Sequence, residues 1–149
     1  MPVERGIVQR DITDGGSVPR TLSLSLSAMR AAPDRPLDLT ALGAISRVSP
    51  RTLQRHFRVF LGKTPQAVLQ DIRFERARRD LLRASSTATV TDIALRCGFA
   101  HLGRFSIEYR KRYGEKPLET LHRRVTLLAE GSRKSTLLRH VHTTTRPLQ

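Results

Sequence analysis

The hydrophobic and polar positions of this chain follow helical periods, and one stretch shows it most sharply. From Ser49 to Leu61, laid out at about 100° per residue, Leu53, Phe57, Phe60 and Leu61 share one apolar arc. Arg51, Gln54, Arg55 and Arg58 take the other side, with the three arginines within about 60° of one another. Arg51 and Arg55 stand at i,i+4 with no acid to relieve them, although such like-charge pairs are destabilising. Ser49 is placed to cap this helix and Pro50 to sit in its first turn. Gly62 and Pro65 stop it.

Upstream, residues 1–20 contain Asp14, Gly15, Gly16 and Pro19 without a sustained period, and are expected to form a flexible leader. Between Thr21 and Arg30, leucine and serine alternate as in a strand, while Leu22, Leu26 and Met29 also keep the helical i, i+4, i+7 spacing. The chain offers no partner strand, so a helix is expected. Pro33 and Pro36 break it. Asp38 can cap a helix over 39–46 with Leu39, Leu42 and Gly43 inward, and Arg47, Val48 and Ser49 form a tight turn into the arginine helix. Two short helices joined by a turn, the second one cationic, predict a helix-turn-helix unit within residues 21–63. A long linker helix over 65–83 follows. Its inward arc of Leu69, Phe74, Ala77 and Leu81 is interrupted by Arg73, whose guanidinium requires a carboxylate or carbonyl partner. Arg73 is therefore expected to be a structural clamp.

The organisation then repeats. An offset of 51 carries Leu39, Leu42, Gly43 and Ser46 onto Val90, Ile93, Ala94 and Cys97. An offset of 52 carries Leu53, Phe57, Leu61, Gly62 and Pro65 onto Phe105, Tyr109, Tyr113, Gly114 and Pro117, so the second turn holds one extra residue. Thr89 and Asp92 are spaced like a capping box, Gly98 lies at the turn, and a helix is expected from about His101 to Tyr113. Its buried arc is Leu102, Phe105, Tyr109 and Tyr113; its outer arc is Gly103, Arg104, Ile107, Arg110 and Lys111. A short closing helix completes a second unit over 88–124. Residues 125–149, rich in Thr and Arg, are expected to be a disordered basic tail. The fold class predicted is all-α: two helix-turn-helix subdomains joined by a long linker helix, a homeodomain-like pair.

Charge sharpens this picture. The 27 Lys and Arg against 13 Asp and Glu leave a net charge of +14, which points to a polyanionic partner. Only 5% of residues are aromatic and none is Trp, which argues against single strands held by base stacking. The lone cysteine, Cys97, allows no intrachain disulfide and falls on a buried stripe, where an inert thiol is expected. His140 and His142 lack a third ligand, so neither metal nor other cofactor is expected. No Gly-rich phosphate loop, catalytic carboxylate pair or nucleophile elbow is present, and an enzyme is not expected. No run reaches the roughly eighteen apolar residues of a membrane span. A nonspecific binder of nucleic acid or anionic surfaces would explain the charge, but not the paired repeat or the uncharged Thr52 and Gln54.

These residues together resemble a known family. Val48-Ser-Pro-Arg-Thr-Leu-Gln-Arg-His-Phe57, Gly62-Lys-Thr-Pro65, Arg73-Phe-Glu-Arg-Ala77, Val90-Thr-Asp-Ile-Ala94, Gly98-Phe-Ala-His-Leu-Gly-Arg-Phe105 and Gly114-Glu-Lys-Pro117 resemble the DNA-binding domain of the AraC/XylS family over about residues 22–124. The resemblance implies a cytoplasmic, nucleoid-associated bacterial transcriptional regulator of double-stranded DNA, commonly an activator that contacts RNA polymerase. It implies DNA contacts from Arg51, Thr52, Gln54, Arg55 and Arg58 on the first recognition helix. On the second it implies His101, Gly103, Arg104, Ser106, Ile107, Arg110 and Lys111, with Gly98 and Phe99 structural. A linker helix of about nineteen residues spans roughly 28 Å, close to the roughly 34 Å between successive major grooves on one DNA face. One monomer could then place both recognition helices.

Three departures qualify the resemblance. A leader of about twenty residues is too short for the effector or dimerisation domain usual in this branch, so the chain is expected to be either a stand-alone regulator or a truncated piece of a longer one, and a monomer unless a missing N-terminal domain dimerises it. Arg47 stands where the second repeat has Gly98, at a cost of about 1 kcal/mol if that turn needs positive φ. Ile107 stands where the first unit has Arg55; it can press on a thymine methyl but cannot fork a guanine. The first unit is therefore expected to supply most base discrimination and the second mainly phosphate contacts.

Overall fold

Each half of the repeat builds its own hydrophobic interior, and one helix contributes to both. The computed structural model describes residues 18–123 and residue 126. The elements are α1 (Arg20–Ala31), α2 (Leu39–Ser46), α3 (Pro50–Leu61), α4 (Pro65–Arg83), α5 (Val90–Arg96) and α6 (Leu102–Tyr113), followed by helical residues 117–123, here α7. Among the described residues there are no strands. The leader up to residue 17 and nearly all of the basic tail lie outside the described residues. Two compact units divide between Arg73 and Phe74, within α4.

In the first unit the alternating Leu/Ser segment is helical, as α1, and starts at Arg20. Leu22, Ser25 and Met29 are the buried positions, at a spacing that only a helix can bring to one face. They pack with Leu37, Leu42, Leu53, Phe57, Val68 and Leu69. The serines serve two ends: Ser23 and Ser27 face solvent, while Ser25 lies inside. Ser46 Oγ donates to the carbonyl of Thr21 at 2.8 Å, so the 2.6 Å contact between the two serines has Ser25 donating to Ser46. Two buried hydroxyls are thereby paired between α1 and α2.

Arg73 closes this unit. Its Nε donates to the Pro33 carbonyl at 2.6 Å and its Nη2 to the Arg35 carbonyl at 3.0 Å. The Pro33 carbonyl, in the Pro33–Pro36 break, thereby gains a partner, while the Arg35 carbonyl also accepts from Leu37 N at 2.8 Å. Burial lowers the Arg73 pKa, and the Asp34 charge partly opposes that.

The second unit is built around aromatic rings, where the first, Phe57 apart, is aliphatic. Phe74, Phe99 and Phe105 meet with ring centroids 4.6 to 5.7 Å apart, and Phe105 continues to Tyr109 and then Tyr113. Ala77, Leu81, Ile93, Ala94, Cys97 and Leu121 fill the remainder. Phe99 and Gly98 thus serve this interior and its turn. Burial pushes the Cys97 thiol up to about 11, which keeps it protonated at neutral pH.

A polar cluster anchors α7, and the sequence pattern did not reveal it. Thr120 Oγ1 donates to Glu115 Oε1 at 2.8 Å, and so accepts from the Tyr109 hydroxyl at 3.0 Å. Arg78 Nη1 donates to the same Glu115 oxygen at 3.1 Å, and Arg123 pairs with the other. The Arg78 guanidinium also lies 4.5 Å from the Tyr113 ring centroid. The Thr120 hydroxyl, joined by the Arg123 and Arg78 charges and opposed by burial, holds the Glu115 carboxyl below its usual 4.5.

A depressed folded-state pKa makes Glu115 stabilising above its ordinary value, and that contribution fades as pH falls toward the folded-state value. Chemical denaturation between pH 7 and pH 3 should show stability declining below about pH 4.5. Glu115→Gln should cost about 1–3 kcal/mol at pH 7 and flatten the acid decline. An unchanged pH profile in the variant would remove Glu115 from this account. By the same logic Arg73→Met should lose about 1–2 kcal/mol, as it strands the Pro33 carbonyl, whereas the Arg35 carbonyl keeps its bond from Leu37 N at 2.8 Å.

Candidate nucleic-acid interface

The turn that delivers α3 is fixed by local chemistry. Asp38 caps α2, its carboxylate accepting from Ala41 N at 2.7 Å. At the other end Arg47 adopts φ 56 and ψ 39, and Val48 N returns to the Gly43 carbonyl at 3.0 Å. This is the left-handed helix stop that glycine favours, made here by an arginine. Gly43 is required by close approach: a Cβ there would lie 2.9 Å from the Val48 carbonyl oxygen. Ser49 then caps α3, its Oγ accepting from Thr52 N at 3.2 Å, and Pro50 occupies the first turn.

From this start α3 presents its faces largely as expected. Leu53 and Phe57 are fully buried, and Arg51, Gln54, Arg55 and Arg58 are exposed, with Thr52 half-buried. Among the described residues none of the three arginines pairs with a carboxylate. Phe60 and Leu61 depart from expectation: they are 39% and 37% exposed rather than inward. Neither belongs to the hydrophobic cluster of this unit, which α3 joins through Leu53 and Phe57. His56 is buried in their place. Its Nδ1 shares a 2.9 Å hydrogen bond with Thr21 Oγ1, and its ring meets Phe60 edge-on. The i, i+3 spacing of Leu53 and His56 was the available signal for this; a histidine's polarity obscured it.

The second unit repeats the device with different parts. Thr89 caps α5: its Oγ1 accepts from Asp92 N at 3.1 Å and donates to Asp92 Oδ2 at 2.6 Å. Phe99 N returns to the Ala94 carbonyl at 3.0 Å, the equivalent of the Val48–Gly43 bond. Gly98 takes φ 88 at the position equivalent to Arg47. His101 occupies the cap position of α6 but its side chain makes no capping bond. Phe105 and Tyr109 are buried, Leu102 and Tyr113 half-buried. Gly103, Arg104, Ile107, Arg110 and Lys111 are exposed as expected, and Ser106 is half-buried. Lys111 is paired to Glu108 at 3.0 Å, so this face carries less uncompensated charge than α3.

Among the described residues no group of three or more His, Cys, Asp or Glu is placed to hold a metal ion, and no helix is long and apolar enough to cross a membrane.

Comparison with known proteins assigns this arrangement. The family model described as a helix-turn-helix domain matches residues 42–123. A probable AraC family transcriptional regulator from Rhodopseudomonas palustris, solved as a crystal structure, is 34% identical with a TM-score of 0.64, over 70% of this chain and 96% of that one. The chain belongs to the AraC/XylS family. The probable thc operon regulatory protein of Rhodococcus erythropolis is 40% identical over 106 residues, which are 70% of this chain and 32% of that protein. The DNA-binding domain of AdpA, crystallised with a target DNA, is 26% identical with a TM-score of 0.58, over 74% of this chain and 95% of that one. The chain spans about a third or less of the length of the first curated relatives it matches.

The left-handed Arg47 yields a direct test. Arg47→Gly should raise stability by up to about 1 kcal/mol, since it removes the steric cost of positive φ. Ser49→Ala should lower it by about 1 kcal/mol through loss of the α3 cap. Urea denaturation of both variants checks the pair; a destabilised Arg47→Gly would show that the arginine side chain contributes more than its backbone costs.

Proposed function

We propose that this chain binds double-stranded DNA sequence-specifically and so regulates bacterial transcription, with α3 as the principal base reader and α6 mainly grasping phosphates. The observation that carries this is the face of α3: Arg51, Arg55 and Arg58 exposed beside Gln54 and without a carboxylate partner among the described residues, on a helix whose other side is locked by Leu53 and Phe57. Arginine forks suit guanine O6 and N7, and Gln54 suits adenine N6 and N7. On α6, Arg104 and Arg110 supply charge to phosphates, with His101, Gly103, Ser106, Ile107 and the Glu108-paired Lys111 at the contact surface. The proposal includes entry of the two helices into successive major grooves. It also includes action as a monomer in the cytoplasm and RNA polymerase as a protein partner. Support for the regulatory part is the naming of relatives as operon regulators and activators, and for the DNA part the AdpA domain with its target. The competing reading, a nonspecific nucleic-acid binder, predicts no preference among duplexes.

Duplexes enriched by the full chain from a random library, titrated beside scrambled controls at two salt concentrations, separate these readings. Specific recognition should keep a ratio of about 10³ or more at both salts, while affinity itself falls as salt rises. Equal loss for both duplexes would favour the nonspecific reading. Arg55→Ala should weaken the enriched duplex by roughly tenfold to a hundredfold and relax its preference. Arg104→Ala should weaken enriched and scrambled duplexes alike. The reverse pattern would overturn the ranking of the two helices.

A further inference from the structure

Two residues on the outer face of α6 have no explanation among the described residues. Gly103 lies in the first turn of the helix, exposed, and a Cβ built there would meet nothing within 4 Å. Its φ is not in the left-handed region, where Gly62, Gly98 and Gly114 lie. A helical glycine generally costs up to about 1 kcal/mol relative to alanine, and neither packing nor backbone geometry in this fold calls for it. Ile107, four residues on and therefore on the same stripe, is 59% exposed among cations. Arg104 and Arg110 flank it at i−3 and i+3.

Bare backbone next to an unsheltered branched aliphatic is the shape of a shallow apolar notch with a charged rim. The rim suits phosphates; the notch does not. In the major groove the apolar feature of matching size is the C5-methyl group of thymine. We infer that Gly103 and Ile107 together form a thymine-methyl slot, with Gly103 letting the α6 backbone come close enough for Ile107 to seat the methyl. This rests on the duplex-binding reading above and adds to it that α6 contributes base selectivity of its own, limited to a thymine. Because the contact is to carbon alone, it should distinguish thymine from uracil, which pair identically and differ only by that methyl.

The test uses the full chain and the duplex it enriches from a random library, with each thymine replaced singly by deoxyuridine and affinity read by fluorescence anisotropy. One or two replacements should weaken wild-type binding about fourfold, the effect of exposing one methyl group. The same replacements should change binding by less than about 1.5-fold in Ile107→Ala, since the partner of the methyl is gone. Gly103→Ala should bind the enriched duplex about tenfold more weakly while melting at the same or a higher temperature, which a merely structural glycine would not do. Wild-type affinity indifferent to every deoxyuridine, or methyl dependence that persists in Ile107→Ala, would overturn the slot while leaving duplex recognition standing. Failure to enrich any duplex would overturn both.

Discussion

Anchoring a like-charged helix from one side is the constraint on which the interface depends. The outward arginines of α3 repel one another, and no acid among the described residues offsets them. Each such pair costs only a few tenths of a kcal/mol. Burial of Leu53 and Phe57, both fully covered, contributes about 1.5–3 kcal/mol apiece. Burial wins by several-fold, and the outer face is left at liberty to be cationic. The cap at Ser49 and the left-handed stop at Arg47 add orientation to that anchorage, and the His56–Thr21 bond ties the same stripe to α1.

The two halves use one backbone device and two kinds of interior. Both turns place a left-handed residue after the first helix and return an amide to the carbonyl five positions back. Around this, the first unit packs aliphatic side chains and threads hydroxyls between α1 and α2, whereas the second stacks aromatic rings and closes with a carboxylate held by two guanidinium groups and a threonine. Their outer faces have diverged as well. α3 offers arginines with no carboxylate partner among the described residues; α6 offers a mixture in which Lys111 is paired with Glu108.

The repeat, the caps and the faces of both recognition helices were legible in the sequence because each depends on short-range spacing. Ser49, Thr89, Gly98 and the buried stripe through Phe105 and Tyr109 follow from neighbours a few residues away. Phe60 and Leu61 did not follow, because an apolar residue near a helix end is covered only where a distant element meets it, and periodicity does not carry that. His56 and Ser25 were hidden for a related reason: a polar side chain goes inside only when a specific distant partner meets it, here Thr21 and Ser46. The cluster around Glu115 joins residues up to 37 positions apart, and no local pattern marks such pairs. Arg73 was readable as an element needing a partner, but its partners, the Pro33 and Arg35 carbonyls, are backbone atoms without a sequence signature.

α4 carries a consequence of its own. Val68 and Leu69 serve one interior while Phe74, Ala77 and Leu81 serve the other, so nucleating this single helix prepares a wall for each. No stretch of it is spare. A cut between Arg73 and Phe74 would leave each half its own wall residues but would split the one helix that supplies both.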